Sequence, residues 1–308
     1  MPKKLLLIVC GATASGKTGL AVALAQHYRT AVVSADSRQL FAEMSLGTAR
    51  PTEAEMAGVP HYFVGNRSAT QDYSVGDYER DCLAVLTQLF EQHDIVVLCG
   101  GTGLYINAVC YGLDDFPDVS AAIIAQLQAD FEAHGLAFLQ NELRESDPDY
   151  YQTVDLQNPH RLLRALRVCR STGQPFSAFR TQQIVTRPFD TCRLALEWHR
   201  PDLYARIDTR VTQMMDAGLL AEVEKLLPLR HYNALNTVGY TELFDYIDGK
   251  HDLAKATALI QQHTRNYAKR QLAWFGRTKS THWLSPYEDM AAILAAAKTI
   301  VSQAQNTL

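Results

Sequence analysis

The stretch Gly-Ala-Thr-Ala-Ser-Gly-Lys-Thr at residues 11–18 constrains this chain more than any other. An apolar run, Leu5 to Val9, precedes it and a stretch of helix formers, Leu20 to Ala25, follows, so it reads as strand, glycine loop, helix. That is the context of a phosphate-binding P-loop. Gly11 and Gly16 let the backbone turn where a Cβ would clash, and the amides of Thr13, Ala14, Ser15, Gly16, Lys17 and Thr18 are then expected to face phosphate oxygens. The positive end of the following helix adds to the attraction. Lys17 supplies a mobile charge for the terminal phosphate, and the Thr18 hydroxyl is placed to ligate Mg²⁺. The loop alone does not say which phosphorylated compound it holds.

A chain of 308 residues, 47% hydrophobic and 20% charged, is long enough for a packed core with a large insertion or a second domain. Its net charge of −4 means that a nucleic-acid partner has to be met by local basic patches rather than by the overall field. Six cysteines are scattered without a Cys-x-x-Cys pair, several inside apolar runs, and read as buried thiols in a reducing compartment. The apolar run at the start is too short for a signal peptide, and no segment reaches the length of a membrane span. A cytoplasmic protein is expected.

Residues 30–36 form a β-branched run that ends in an acid, so Asp36 falls at the carboxyl end of a second strand, the edge where open α/β sheets place ligands. Residues 77–93 carry apolar positions at helical spacing, and Ile95 to Cys99 gives a third strand running into a Gly-Gly-Thr-Gly turn. Strand, helix and strand at these lengths predict a parallel sheet with right-handed crossovers. From Phe116 the texture becomes helical, with helices expected over 121–145, 159–172 and 175–183. Strand character returns at 193–199 and near residue 283, among helices over 203–215, 219–226, 241–247, 253–275 and from Tyr287 onward. The fold class is therefore α/β: a P-loop NTPase-like core over 1–116 and 187–308, its parallel sheet flanked by helices, with an all-helical insertion over 117–186.

A plain P-loop ATPase keeps a second acid at the end of a neighbouring strand to hold the water shell of Mg²⁺. The third strand here ends in Cys99-Gly100-Gly101-Thr102 without a carboxylate, which counts against that class. The acid sits at Asp36 instead, where small-molecule kinases keep an acid that handles the acceptor; aspartate also serves as a strand-end cap or turn former. Arg206 and Arg210, four apart on one helix face, are either ligands for an anion or partners of Asp202 and Asp208. Arg161, Arg164, Arg167 and Arg170 recur every three residues and sweep about half a helix, as a solvated face or a phosphate contact. Arg265 and Lys269 share a face of the last long helix and serve either another phosphate contact or its anchoring.

Taken together the motifs resemble one family, the tRNA dimethylallyltransferases or isopentenyltransferases in their short bacterial form. The resemblance rests on residues 11–18, on ADSRQLF and MSLGTARP, and on VPHYF, GGTGLY, NPHRLLRALRV, RIDTRVTQMMDAGLLAEV, TVGYTEL and TRNYAKRQLAWF, which cover most of the chain in family order. It implies transfer of a dimethylallyl group from its diphosphate to the exocyclic N6 amine of the adenosine 3′-adjacent to the anticodon, in tRNAs reading codons that start with U, with Mg²⁺ as cofactor. Free adenine nucleotide is the alternative acceptor, and a nucleotide kinase the more distant reading. By similarity Asp36 is the general base, Arg210 binds the diphosphate beside the loop, and Thr102 touches the acceptor or the diphosphate. Family position further implies that Asp36, Ser37, Arg38, Gln39 and Thr102, then His160, Arg161, Leu162, Leu163 and Arg164, and finally Asn236, Thr237, Val238, Gly239, Tyr240 and Thr241 grip the anticodon stem-loop. The chain departs from the family where Ile124, and Asn236 or Thr241, stand in place of arginines, which removes positive charge from that face. No Cys/His cluster follows the last helix, unlike in eukaryotic members. A monomer is expected.

Overall fold

The apolar run after the N-terminus forms β1 (Leu5–Cys10), every residue of which is buried. The computed structural model describes residues 4–181 and 183–307. They divide into two compact units, one made of the chain up to Cys110 and from Thr186 onward, the other of Tyr111–Val185.

In the first unit β1 is followed by α1 (Lys17–Tyr28), β2 (Val32–Ser34), α2 (Glu53–Met56), β3 (His61–Tyr62), α3 (Val75–Gln92), β4 (Ile95–Gly100) and α4 (Gly103–Tyr111). The second unit holds α5 (Ala121–Ser146), α6 (Pro148–Tyr151) and α7 (Pro159–Thr172). The first then resumes with β5 (Asp190–Leu196), α8 (Arg200–Asp216), α9 (Leu219–Lys225), α10 (Thr241–Ile247), α11 (Leu253–Phe275), β6 (Thr281–Leu284) and α12 (Met290–Thr307). The sheet has six strands in the order β3-β2-β4-β1-β5-β6, and every pairing is parallel. The α/β class expected from the strand, loop and helix pattern is the one observed. A parallel sheet needs cover on both faces, and α1 and α12 supply it on one: Leu20, Leu24, Ile293 and Val301 pack with Leu5, Leu7, Val97 and Leu194. All six cysteines are free and buried, as their apolar surroundings predict.

Two expected elements differ. The helix over 175–183 reduces to one 3₁₀ turn, Phe176–Phe179, because Phe176 and Phe179 turn onto Phe116, with ring centroids 4.8 and 6.4 Å apart. Residue 182 of that stretch lies outside the described residues. The strand near 193–199 begins earlier, at Asp190, since its ladder follows β1 from Leu5 onward. β3, only two residues long, carries no periodicity that sequence reading could have used.

The helical unit has its own core. Leu127, Leu139 and Leu143 of α5 pack against Leu162, Leu163, Leu166 and Val168 of α7. Asp147, fully buried, accepts from the amides of Tyr150 and Ser177 at 2.9 and 2.6 Å and from the Ser177 hydroxyl at 2.8 Å, which ties off the turn between the helices.

Candidate active site

The glycine loop leaves β1 and enters α1 with three residues at positive φ, Gly11 at 143°, Ala14 at 61° and Gly16 at 90°. An alanine holds that conformation at a cost, and packing offsets it: Ala12 and Ala14 are buried against Leu203 and Ile207 of α8 and Ala268 of α11. The loop is also pinned from outside. The buried Gln271 of α11 accepts from the Thr13 amide at 2.9 Å and donates to the Gly101 carbonyl at 2.9 Å, joining the P-loop to the turn after β4. The Ser15 amide turns back to the Ala12 carbonyl at 3.4 Å. Two amides expected to face phosphate, those of Thr13 and Ser15, therefore have partners within the protein. The Ser15 hydroxyl does not: at 2% exposure its Oγ has no hydrogen-bond partner among the described residues. Lys17 Nζ rests 3.2 Å from the Ala12 carbonyl. Burial holds the Lys17 ammonium below its usual range, with Arg210 adding to the effect and Asp36 opposing it.

Asp36 reaches this cluster because β2 lies beside β4 and β4 beside β1. The approach of the second strand's end to β4 is so close that a Cβ on Gly100 would stand 2.1 Å from the Ala35 carbonyl oxygen, so only glycine fits there. Asp36 Oδ1 accepts from the amides of Arg38 at 2.9 Å and Gln39 at 3.2 Å, so the carboxylate also turns the chain, as its residue type allows. Thr102 Oγ1 accepts from the Ser37 amide at 3.0 Å, lies 3.3 Å from the Ser37 hydroxyl and hydrogen-bonds Tyr267. Both partners, Ser37 and Tyr267, line the cavity.

A cavity of about 360 Å³ collects Lys17, Thr18, Asp36 and Arg210 on one side and Gly47, Thr48, Asn236, Thr237 and Val238 on the other, with Tyr267 and Arg270 from α11. Burial and the Asp36 carboxylate push the Tyr267 phenol up to about 12. A small recess of about 60 Å³ opens from the same region, its wall apolar at Ile207, Val211, Met214, Val238 and Ile260. A second opening, about 560 Å³, reaches Lys17, Thr18 and Arg210 from the side of Arg206 and Glu55. Arg206 and Arg210 of α8 divide their work. Arg206 donates to the Ala14 carbonyl at 3.0 Å and stacks on Trp198 at 4.4 Å, bracing the loop, whereas Arg210 faces the cavity. Asp208, one of the two acids considered as partners for this pair, instead binds Arg265, which answers whether Arg265 is an anchor or a phosphate ligand: it is an anchor.

The far wall hangs on charged side chains that are buried or half-buried. Glu222 accepts from the amides of Ser45, Leu46 and Gly47 at 3.2, 2.8 and 3.1 Å and from the Tyr240 hydroxyl at 2.7 Å. Glu242, 4% exposed, accepts from the Gly239 amide at 2.8 Å and meets His263 Nδ1 at 2.6 Å. Arg38 donates to the carbonyls of Asn233 and Ala234, both at 3.1 Å, and Gln39 donates to those of Thr48 and Ala49 at 3.3 and 3.0 Å. Arg38 and Gln39 thus staple the wall while still lining the cavity, whereas Tyr240, expected to grip RNA, is fully buried, its hydroxyl raised far above a normal phenol by burial and by Glu222. Sequence reading also missed Gln271 and Glu222, whose partners lie far away in the chain, and Thr264, which lines the cavity.

In the helical unit the expected segment splits in the same way. His160, Arg161 and Arg164 are exposed, but Leu162 and Leu163, at 0% and 5% exposure, belong to the core and offer no side chain to a partner. Arg164 stacks over Phe116 at 5.2 Å. Arg170 is held by Glu142 at 2.6 Å and Asp130 at 2.7 Å, so it is an internal brace rather than part of a basic face.

The sequence model of the IPP transferase family matches residues 39–279. A tRNA dimethylallyltransferase of Cytophaga hutchinsonii is 46% identical over 285 residues, covering 92% of this chain and 94% of the relative. A tRNA dimethylallyltransferase 1 of Bacteroides thetaiotaomicron is also 46% identical, over 92% of each chain. Among solved structures, the full-length tRNA isopentenylpyrophosphate transferase of Bacillus halodurans superposes with a TM-score of 0.73 at 31% identity, over 99% of this chain and 98% of that one. A eukaryotic dimethylallyltransferase acting on tRNA shares the fold, with a TM-score of 0.79 at 23% identity over 97% of this chain and 77% of the other. A matched segment of this length and identities of this size over nearly the whole chain place the protein in the IPP transferase family.

Proposed function

We propose that this chain transfers a dimethylallyl group from dimethylallyl diphosphate to the N6 amine of the adenosine 3′ to the anticodon in tRNAs reading codons that start with U. The observation that carries the reading is one cavity in which Lys17 of the P-loop, Arg210 of α8 and a single carboxylate, Asp36, stand together, while β4 ends in glycines. A phosphoryl-transfer enzyme places an acid at that strand end; an alkyl-transfer enzyme needs a base at the acceptor instead.

The chemistry follows from what each side must do. The adenine amine is a poor nucleophile because its lone pair is delocalised into the ring. As N6 bonds to C1 of the allyl group, the C1–O bond breaks, its electrons pass to the diphosphate, and the N6 proton passes to the Asp36 carboxylate. General-base help of this kind contributes roughly 10²- to 10⁴-fold. Lys17, Arg210 and the free loop amides meet the charge that grows on the leaving diphosphate, each strong donor supplying about 3 kcal/mol. The orphaned Ser15 hydroxyl acquires a partner once an anion fills the loop. The apolar recess beside Val211 and Ile260 suits a short branched hydrocarbon.

Mg²⁺ is part of the proposal. Among the described residues no group of three or more His, Cys, Asp or Glu side chains could hold a metal, and hard oxygen donors, the Thr18 hydroxyl and the diphosphate itself, fit an ion that keeps several waters and rides on phosphates. It would neutralise charge on the diphosphate. Arg161 and Arg164, exposed on α7, are assigned to anticodon-arm phosphates. Among the described residues no helix is long and apolar enough to cross a membrane. Action on tRNA in the cytoplasm, as a monomer, is part of the proposal.

The test is transfer of label from dimethylallyl diphosphate, with and without Mg²⁺, into unmodified tRNA, into AMP and into buffer. Label at one adenosine beside the anticodon is expected. Label in AMP alone would make the protein a nucleotide prenyltransferase, and consumption of ATP without transfer would overturn the reading.

A further inference from the structure

The cavity has a neighbour. Asn236 lines both the 360 Å³ cavity and an open groove of about 540 Å³. His231 and Tyr232 form the groove's aromatic side, with ring centroids 4.2 Å apart and planes 36° from each other. His231 is exposed and Tyr232 half-buried, and neither belongs to a core cluster. Asn233, Asn236 and Thr241 bring amide and hydroxyl groups to the same groove.

The charges there are spent. Arg230 is paired with Asp248 through two bonds of 2.8 and 2.7 Å, and Asp245 with Lys250 at 2.6 Å. A groove with aromatic faces, amide edges and no uncommitted charge among its lining residues is poorly suited to a phosphate and well suited to a nucleobase, since single-stranded RNA is read by stacking and by hydrogen bonds to base edges. The segment is also held still: Arg38 clamps the carbonyls of Asn233 and Ala234, and it follows Asp36 by two residues. The groove and the catalytic carboxylate are thus fixed to each other by one guanidinium.

Resting on the function proposed above, we infer that His231 and Tyr232 form a stacking platform for an unstacked base that flanks the target adenosine. Asn233 and Asn236 meet that base's edge. This places recognition of the neighbouring nucleotide on π-surface and amides, at the very wall where the chain carries Asn236 and Thr241 in place of arginine.

The experiment uses the full chain and anticodon stem-loops carrying 2-aminopurine on either the 5′ or the 3′ side of the target adenosine. One label should change fluorescence on binding to the wild type and lose that change with Tyr232→Ala or His231→Ala. Both variants should raise KM for tRNA by roughly 5- to 150-fold, the range for one lost base stack, with KM for dimethylallyl diphosphate unchanged. Tyr232→Phe should restore both readouts. The slope of log KM against log salt should stay that of the wild type, because no phosphate contact is removed. An unchanged tRNA KM, a flattened salt slope, or a Tyr232→Phe as weak as Tyr232→Ala would each overturn the platform. Absence of prenyl transfer by the wild type, with the fluorescence response intact, would instead sink the proposed reaction and leave the platform standing.

Discussion

The two walls of the cavity reach the same space by different means. On one, Lys17 and Thr18 open α1 just beyond β1, and Asp36 follows β2, two parallel strands on either side of β4, so each stands a few residues from the apolar run that places it. On the other, Gly47, Thr48, Asn236 and Val238 lie on irregular backbone held by Glu222, Glu242 and Arg38. The first wall is rigid because the sheet is rigid. The second is held by a few charged side chains, Glu242 buried and Glu222 and Arg38 half-buried, that satisfy backbone amides and carbonyls that would otherwise be left unpaired. Substitutions on the first wall are therefore expected to change turnover with little effect on folding, and those behind the second to change folding and substrate binding before turnover.

The largest effect is expected at Asp36, where two roles coincide. Its Oδ1 caps the amides of Arg38 and Gln39, and its carboxylate lines the cavity. Asp36→Asn keeps an acceptor for those amides and removes the base. A loss of roughly 10²-fold or more in kcat, with tRNA affinity and thermal midpoint near wild type, is the expected outcome. If Asp36→Asn turns over normally and only Asp36→Ala fails, the residue is a cap and the base lies elsewhere.

Next come Lys17→Ala and Arg210→Ala, each expected to cost roughly 10²- to 10³-fold in kcat/KM for the prenyl diphosphate while leaving tRNA binding almost unchanged. Arg206→Ala separates the pair on α8. Because Arg206 braces Ala14 and Trp198 instead of facing the cavity, its loss should be smaller and should appear in stability as well. Equal losses at Arg206 and Arg210, with stability unchanged, would mean that both meet the anion.

Behind the second wall, Glu222→Gln leaves three amides and a phenol to share one carbonyl oxygen. A loss of about 2–4 kcal/mol in unfolding free energy is expected, read from the denaturant midpoint at constant m. KM should rise for whichever substrate rests on Gly47 and Thr48. A turnover defect without destabilisation would erase the distinction between the walls.

That distinction also explains what could be read from the sequence. The P-loop, the strand that ends at Asp36 and the glycine turn after Cys99 are local patterns, each set within about ten residues by hydrophobic periodicity and glycine sterics, and they placed Lys17, Thr18 and Asp36 on the ligand edge before any coordinates. Gln271 reaching Thr13, Glu222 reaching Gly47 and Arg38 reaching Asn233 join residues separated by 258, 175 and 195 positions. No local pattern marks such pairs. The same limit led sequence reading to assign Leu162, Leu163 and Tyr240 to a partner: a family segment names a stretch of chain, while helix periodicity and packing decide which of its side chains face outward.

The smallest effect expected is the most discriminating for the second wall. Tyr240 is fully buried, and a Cβ on Gly47 would lie 2.4 Å from its ring, so the ring itself packs under the loop that Glu222 holds. Tyr240→Phe keeps that ring and removes only the 2.7 Å bond to Glu222. Since Glu222 retains its three amides, the cost should be about 1.5–3 kcal/mol, the range for one hydrogen bond to a charged acceptor, with kcat unchanged. In the double variant with Glu222→Gln the two losses should fall short of additive, because the phenol has lost its partner in either single variant. Full additivity would mean that the hydroxyl stabilises the loop independently of Glu222, and that Glu222 holds the 45–47 backbone without help from Tyr240. A Tyr240→Phe loss as large as that of Glu222→Gln would shift the weight the other way, making the phenol bond the main support of the wall and the three amides secondary.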